Sequence, residues 1–208
     1  MLNLTRADWL FCLRWTLATA IALSIPTLLK QVSFLEQIGL WTGPIWLGIA
    51  QGLALERYWT RSIPWGFATA VGGYLAIGSY SLLILASFAV APILPSALGQ
   101  ITFICLPTVG GGVILGLAQA LVLRGVSRWW RWWPLVSSMV LLVSIFWLIA
   151  LSIEASVMQF AIGDEPPSRP SWWYWTLLTA VSGLIGGVLK SLALALFLKR
   201  TPRLRKKP

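Results

Sequence analysis

Three polar side chains lie inside strongly apolar segments at nearly regular intervals along the chain: Gln51, Gln119 and Lys190. Gln119 follows Gln51 by 68 residues, and Lys190 follows Gln119 by 71. A polar group in membrane hydrocarbon is unfavourable unless it finds a hydrogen-bond partner. We therefore expect these side chains to converge on a pseudo-threefold axis, where the ammonium of Lys190 donates to the amide oxygens of Gln51 and Gln119.

This polar cluster allows three interpretations. The first is interhelical hydrogen bonding that only stabilises the fold, at roughly 0.5–2 kcal/mol per contact. The second is a site for a small anion or for the polar headgroup of a ligand. The third is coordination of the magnesium of a chlorophyll by a glutamine amide oxygen.

Side chains suited to catalysis are scarce. The chain has no histidine, which removes the commonest proton shuttle and the commonest metal ligand. Cys12 and Cys105 lie in apolar segments without metal-ligand spacing, and we expect them to be small buried residues. There are no paired carboxylates in an apolar segment and no nucleophile with a plausible base. These features predict a protein that is not an enzyme and has no metal site.

The elements that position these residues are predicted to be membrane helices. The 208 residues are 58% hydrophobic and only 11% charged, with a mean hydropathy of +0.80, whereas a soluble domain is about 25% charged. A span needs about 20 apolar residues. Segments of that kind lie at 9–29, 38–55, 63–90, 98–123, 133–161 and 172–198. We predict an all-α polytopic membrane protein, with six transmembrane helices in a single domain over residues 1–208.

The distribution of Lys and Arg predicts the orientation. Thirteen of them fall on one side of the predicted membrane: Arg6, Arg14, Arg57, Arg61, Arg124, Arg128, Arg131, Lys199, Arg200, Arg203, Arg205, Lys206 and Lys207. Only Lys30 and Arg169 fall on the other side. Because basic residues are retained in the cytoplasm, both termini are expected on the cytoplasmic side. The membrane itself is expected to be the plasma or the thylakoid membrane.

An internal repeat organises the predicted helices. The offset of 68 residues that relates Gln51 to Gln119 also relates Gly48 to Gly116 and Trp65 to Trp133. The chain is therefore predicted to form three tandem helical hairpins of the same orientation. The repeat units cover about 1–61, 62–131 and 132–200, followed by a basic tail at 201–208.

Glycines four residues apart recur in the even-numbered segments. The pairs are Gly48 and Gly52, Gly112 and Gly116, and Gly183 and Gly187. Small residues at this spacing allow a neighbouring helix to approach closely. They predict either packing within the chain or a face for a partner helix or a flat ligand.

The chain has fourteen tryptophans, and ten fall at predicted span ends: Trp9, Trp59, Trp65, Trp129, Trp130, Trp132, Trp133, Trp172, Trp173 and Trp175. Tryptophan at this depth is typical of the aromatic belt at the lipid headgroups. Arg128 and Arg131 alternate with Trp129 and Trp130 and are predicted to bind anionic lipid headgroups.

Two segments carry a resemblance to known proteins: GIAQGLALERYWTRSIPWGFATAVGG and GLAQALVLRGVSRWWRWWPLVSS. They resemble a group of uncharacterised cyanobacterial and other bacterial multi-span proteins with a repeated Gly-x3-Gly-x2-Gln…Leu-Arg motif. The chain departs from that motif at Gly52, where a bulky residue is usual, and at Glu56, where Arg is usual. The resemblance implies a cyanobacterial setting and no particular chemistry.

A weaker similarity is to the substrate-binding subunits of vitamin and metal uptake transporters. Those are also small six-span proteins, and Ala18 and Ala22 resemble their Ala-x3-Ala contact motif. The similarity implies binding of a small solute, although the tandem hairpins fit that family poorly.

The sequence thus favours an accessory or scaffold subunit that packs against a larger membrane complex, and the resemblance implies a photosynthetic complex as the setting. Such a subunit could carry chlorophyll, carotenoid or lipid; anionic headgroups are expected partners and nucleic acid is not. The alternative is a small-solute transporter or uptake subunit with its site at the polar cluster.

Overall fold

The computed structural model describes residues 5–29, 36–56, 58–124, 126–127, 129–162 and 172–199. They form six α-helices: α1 (Arg6–Leu29), α2 (Glu36–Glu56), α3 (Ser62–Val90), α4 (Ser96–Leu123), α5 (Trp133–Ile162) and α6 (Trp172–Lys199). Short 3-10 turns at Ala91–Ile93 and Trp130–Trp132 precede α4 and α5. Over these residues, the prediction of an all-helical protein with six helices is confirmed.

Prolines mark several helix starts. Pro64 and Pro134 lie in the first turns of α3 and α5, where a missing backbone N–H leaves no helical hydrogen bond unmade. Pro95 has an extended backbone immediately before α4. Pro107 lies inside α4, and the helix continues through it without interruption.

The six helices form a closed ring. Each helix packs against its neighbours along the chain, and α1 packs against α6. Phe11, near the start of α1, contacts Tyr58 in the turn that follows α2. Trp65 and Trp133 join the starts of α3 and α5. Phe197, near the end of α6, also contacts Trp133. We call this end of the ring the basic end, because Arg61, Arg124 and Arg131 lie there.

Four tryptophans form the core of the basic end. Trp15, Trp59, Trp65 and Trp133 are each at most 1% exposed. Their indole rings meet at centroid distances of 5.5–5.9 Å, with Trp65 in contact with the other three. Tilted and edge-on pairs of this kind contribute about 0.5–1.5 kcal/mol each beyond the area that they bury. The tryptophans therefore hold the helices together at this end.

This arrangement corrects the prediction that Trp59, Trp65 and Trp133 lie in the aromatic belt. They do lie at helix ends, but their indole groups are buried in the interior of the helix ring. Trp65 and Trp133 are drawn inward because buried glutamines accept hydrogen bonds from their indole N–H groups. Trp9 and Trp132, at 58% and 56% exposed, have the outward position that a belt requires.

Four of the helices are long and apolar enough to cross a membrane. The qualifying segments, among the described residues, are Arg6–Leu29, Ser62–Val90, Ile101–Leu123 and Thr176–Phe197, which belong to α1, α3, α4 and α6. Their outer faces carry many exposed leucine, isoleucine and phenylalanine side chains. The chain is therefore a membrane protein, with at least part of the predicted set of spans.

Candidate functional site

Gln51, on α2, is 1% exposed and accepts two hydrogen bonds from α3. The indole Nε1 of Trp65 lies 3.2 Å from Gln51 Oε1, and the hydroxyl of Thr69 lies 3.3 Å from the same oxygen. Trp65 and Thr69 are one helical turn apart, so both donors face α2. One carbonyl oxygen thus satisfies two buried donors.

Gln119, on α4, repeats this arrangement with α5. Its Oε1 accepts from Trp133 Nε1 at 2.9 Å and from the hydroxyl of Ser137 at 3.4 Å. The donors follow each glutamine by 14 and 18 residues in both cases. A pattern of Gln-x13-Trp-x3-Thr/Ser therefore forms the same three-residue contact twice.

Thr69 and Lys190 connect these two contacts to each other and to α6. Gln119 Nε2 donates to Thr69 Oγ1 at 2.9 Å, and Thr69 in turn donates to Gln51. Lys190 Nζ donates to Gln119 Oε1 at 3.2 Å. Lys190 was predicted to meet both glutamines; the structure gives it Gln119, and Gln51 joins the cluster through Thr69.

The tryptophan, threonine and serine partners were not predicted as site residues. Trp65 and Trp133 share the offset of the glutamines, but their places at span ends suggested the aromatic belt. The signal that identifies them is the repeated spacing from Gln to Trp and from Trp to a hydroxyl residue. Because their N–H groups occupy Gln51 Oε1 and Gln119 Oε1, these oxygens are not open to a chlorophyll magnesium.

All six predicted glycines lie against another helix of the same chain, and five of them lie so close that an added Cβ would clash. A Cβ on Gly48 would meet the carbonyl oxygen of Gly66, and a Cβ on Gly52 would meet only ordinary contacts. The other close approaches are Gly112 to Ser138 (2.6 Å), Gly116 to Pro134 (2.5 Å), Gly183 to Ala20 (2.8 Å) and Gly187 to Thr16 (2.9 Å), each measured from the Cβ position to the opposing Cα. These glycines bring α2 onto α3, α4 onto α5 and α6 onto α1.

Gly52 instead lines a groove on the outer surface between α2 and α3. The groove has a volume of about 640 Å³. Its floor carries Gly48, Gly52, Gly66 and Ala70, and its rims carry the larger apolar residues Ile45, Ile49, Leu53, Ile63 and Phe67. Glu56, Thr60 and Ser62 lie at its polar end. We refer to this feature as the α2/α3 groove.

Arginine and tryptophan lie close together before α5, in the segment that was predicted to bind lipid headgroups. The guanidinium carbons of Arg124 and Arg131 each lie 5.8 Å from the ring centroid of Trp130. Arg131 is exposed, and Trp129 and Trp130 are half-buried. Arg128 falls outside the described residues. Arg131 is thus held beside an aromatic ring while its charge faces outward.

Neither metal chemistry nor relatives assign a function. Within the described ranges, no group of three or more Cys, Asp and Glu side chains could hold a metal ion. No protein-family model, curated protein or solved structure matches the chain.

Proposed function

We propose that this chain is a non-enzymatic accessory subunit that binds a transmembrane helix of a partner protein in the α2/α3 groove. The observation that carries the proposal is the floor of that groove. Gly48 and Gly52 on α2 lie beside Gly66 and Ala70 on α3, so each wall supplies a pair of small residues four apart. Pairs of this kind allow the backbone of a third helix to approach closely.

The rims of the groove suit a helix better than a flat surface would. Leu53 on one side is 65% exposed, and Ile63 and Phe67 on the other are 83% and 72% exposed. Large apolar ridges around a small-residue floor match the ridge-and-groove surface of a helix. The groove opens on the outer, apolar face of a membrane protein, so a membrane helix is the partner that reaches it without crossing water.

Gly52 provides the test, because it can be enlarged without disturbing the bundle. A Cβ at this position would lie 3.4 Å from the carbonyl oxygen of Ser62 and 3.7 Å from Cα of Gly66, which are tolerable contacts. Gly52→Leu should therefore fill the groove and leave the chain folded. Gly78→Leu is the matched control, since Gly78 lies on α3 with nothing within 4 Å of its Cβ position.

The measurement combines photo-crosslinking with native mass spectrometry of complexes from the protein's own membranes. A photo-reactive residue at Phe67 should form an adduct with a hydrophobic helix of one partner, whereas one at Ile21, exposed on α1, should not. Gly52→Leu should lose that adduct and the partner's mass, and Gly78→Leu should keep both. Adducts with lipid alone, or equal partner binding by the two variants, would contradict the proposal.

The setting that we propose follows the resemblance to cyanobacterial multi-span proteins. In a photosynthetic membrane, the partner would belong to a larger complex, and chlorophyll, carotenoid or lipid could accompany it in the same native mass spectrum. The alternative, a small-solute transporter or uptake subunit, would use Gln51, Gln119 and Lys190. Both amide oxygens are engaged within the chain, and the α2/α3 groove is therefore the better supported site.

A further inference from the structure

The interface of α6 with α1 has the same register as the interfaces of α2 with α3 and of α4 with α5. In all three, a glycine three residues before the polar residue packs on the residue that follows a tryptophan. The pairs are Gly48 with Gly66, Gly116 with Pro134, and Gly187 with Thr16. Lys190 therefore holds the position relative to Trp15 and Thr19 that each glutamine holds relative to its Trp and Thr or Ser.

The third interface differs in the chemistry of that polar residue. A glutamine amide oxygen accepts hydrogen bonds, whereas an ammonium group only donates them. The indole N–H of Trp15 and the hydroxyl of Thr19 accordingly have no hydrogen-bond partner among the described residues. These side chains are only 0% and 6% exposed. Buried donors without an acceptor are strongly unfavourable, and water or an ion commonly satisfies them.

Lys190 adds a positive charge to the same place. Its side chain is 8% exposed, and its hydrogen bond goes to Gln119 Oε1, which also accepts from Trp133 and Ser137. A carbonyl oxygen has two lone pairs, so three donors compete for it. No carboxylate in the described part of the chain forms an ion pair with Lys190. A buried ammonium in this state needs a compensating negative charge.

We propose that a small monovalent anion binds between α6 and α1, where it accepts hydrogen bonds from Lys190 Nζ, Trp15 Nε1 and Thr19 Oγ1. The anion takes the place that the glutamine oxygen occupies at the other two interfaces. Chloride and formate are the anions to test, because the replacement of one carbonyl oxygen in a packed core calls for a small anion. This site is separate from the α2/α3 groove, and the inference does not rest on the accessory role.

The direct test observes the Trp15 indole in the full chain. The protein is labelled with ¹⁵N-tryptophan in lipid nanodiscs, and Trp15→Phe identifies the Trp15 indole signal in the ¹H–¹⁵N spectrum. Chloride, and separately formate, replaces gluconate at constant ionic strength. We expect a saturable shift of the Trp15 signal in both titrations. Absence of a saturable shift would overturn the proposal, and a shift that depends on anionic lipid instead would assign the site to a headgroup and overturn the small anion.

Lys190→Gln tests the cause by restoring the pattern of the other interfaces. Its amide oxygen should accept from Trp15 and Thr19, so the variant should fold without the anion and lose the chloride response. The wild-type Tm should rise with chloride concentration because the anion binds the folded state, and the Tm of Lys190→Gln should not. Lys190→Met, which offers no charge and only a weak acceptor, should also lose the response and melt below Lys190→Gln in gluconate.

Thr19→Val keeps the charge and removes one donor. It should weaken chloride binding by roughly tenfold, which is the usual loss for one hydrogen bond to an ion. A chloride response that survives in Lys190→Gln, or unchanged affinity in Thr19→Val, would overturn the site. Thr19→Val decides the matter even if Lys190→Gln does not fold.

Discussion

At the scale of single residues, Gln119 carries more of the polar cluster than Gln51 does. Its amide accepts from Trp133, Ser137 and Lys190 and donates to Thr69, whereas Gln51 accepts from two donors. Gln119→Leu should therefore destabilise the fold by roughly 2–4 kcal/mol, since it leaves several buried donors, one of them charged, without an acceptor. Gln51→Leu should cost roughly 1–2 kcal/mol. Reversible unfolding in mixed detergent micelles measures both.

A double-mutant cycle separates the Lys190 contact from the others. In chloride-free gluconate buffer, Lys190→Leu in the Gln119→Leu background removes a buried charge that has lost its acceptor, so the double variant should be more stable than Gln119→Leu alone. Strictly additive changes in the free energy of unfolding would mean that Lys190 does not depend on Gln119. The cycle therefore tests the 3.2 Å contact of Lys190 Nζ with Gln119 Oε1.

The sequence predicted which three polar residues belong to the cluster, but it did not predict the hydrogen bonds that they form. Regular spacing indicated that Gln51, Gln119 and Lys190 would converge, because polar groups in apolar segments need partners. It could not show that Trp65 and Trp133 satisfy the glutamines, since tryptophan at a span end is equally suited to the headgroup layer. The orientation of an indole ring depends on the packing of helices that are distant in sequence.

At the scale of elements, the glycines determine how closely the helices approach. A Cβ on Gly116 would lie 2.5 Å from Cα of Pro134 and 2.8 Å from Cβ of Ser137, so Gly116→Ala must push α4 away from α5. Overpacking of this kind costs about 1–3 kcal/mol. Gly78→Ala, in open space on α3, should be neutral or stabilise the helix by up to about 1 kcal/mol. The thermal unfolding of the two variants, followed by circular dichroism, should differ in this direction; equal Tm values would contradict the close α4–α5 packing.

The helices themselves were predictable almost to the residue. The predicted segments end within three residues of the observed helices, because long apolar runs bounded by Pro92, Pro95 and basic residues leave little freedom. What remained open was the use of the glycines. Spacing four residues apart gives a smooth helix face, and only the fold shows that Gly48 faces α3 whereas Gly52 is left to line a groove.

At the scale of the whole molecule, closure of the ring explains why the repeat is least regular at its ends. The equivalent interfaces pair each even helix with the next odd one, and the third of these joins α6 to α1. Its two halves are thus the last and first helices of the chain. This interface also has a lysine, Lys190, where the other two have a glutamine. Comparison of segments that are adjacent in sequence therefore gives little sign that α1 pairs with α6 as the third unit.

We expect all six helices to span the membrane and both termini to be cytoplasmic, although only α1, α3, α4 and α6 qualify by length and composition among the described residues. An arrangement with six spans and one with four spans differ most clearly at three connections between helices. If six helices cross, sites near residues 59 and 126 are cytoplasmic and a site near residue 93 is external. If only the four cross, all three assignments reverse, whereas the C-terminus is cytoplasmic in both.

Fusions to alkaline phosphatase, which is active only outside the cytoplasm, and to a green fluorescent protein, which fluoresces only inside it, read these positions directly. We expect phosphatase activity at residue 93 and fluorescence at residues 59 and 126. The basic residues Arg61, Arg124 and Arg131 should keep residues 59 and 126 on the cytoplasmic side. The C-terminal fusion, expected to fluoresce, is the expression control. Phosphatase activity at residues 59 and 126 would contradict six spans. That result would also imply that α2 and α5 each have both ends on the same side of the bilayer. Gln51 lies on α2, and α5 supplies the hydrogen-bond donors to Gln119.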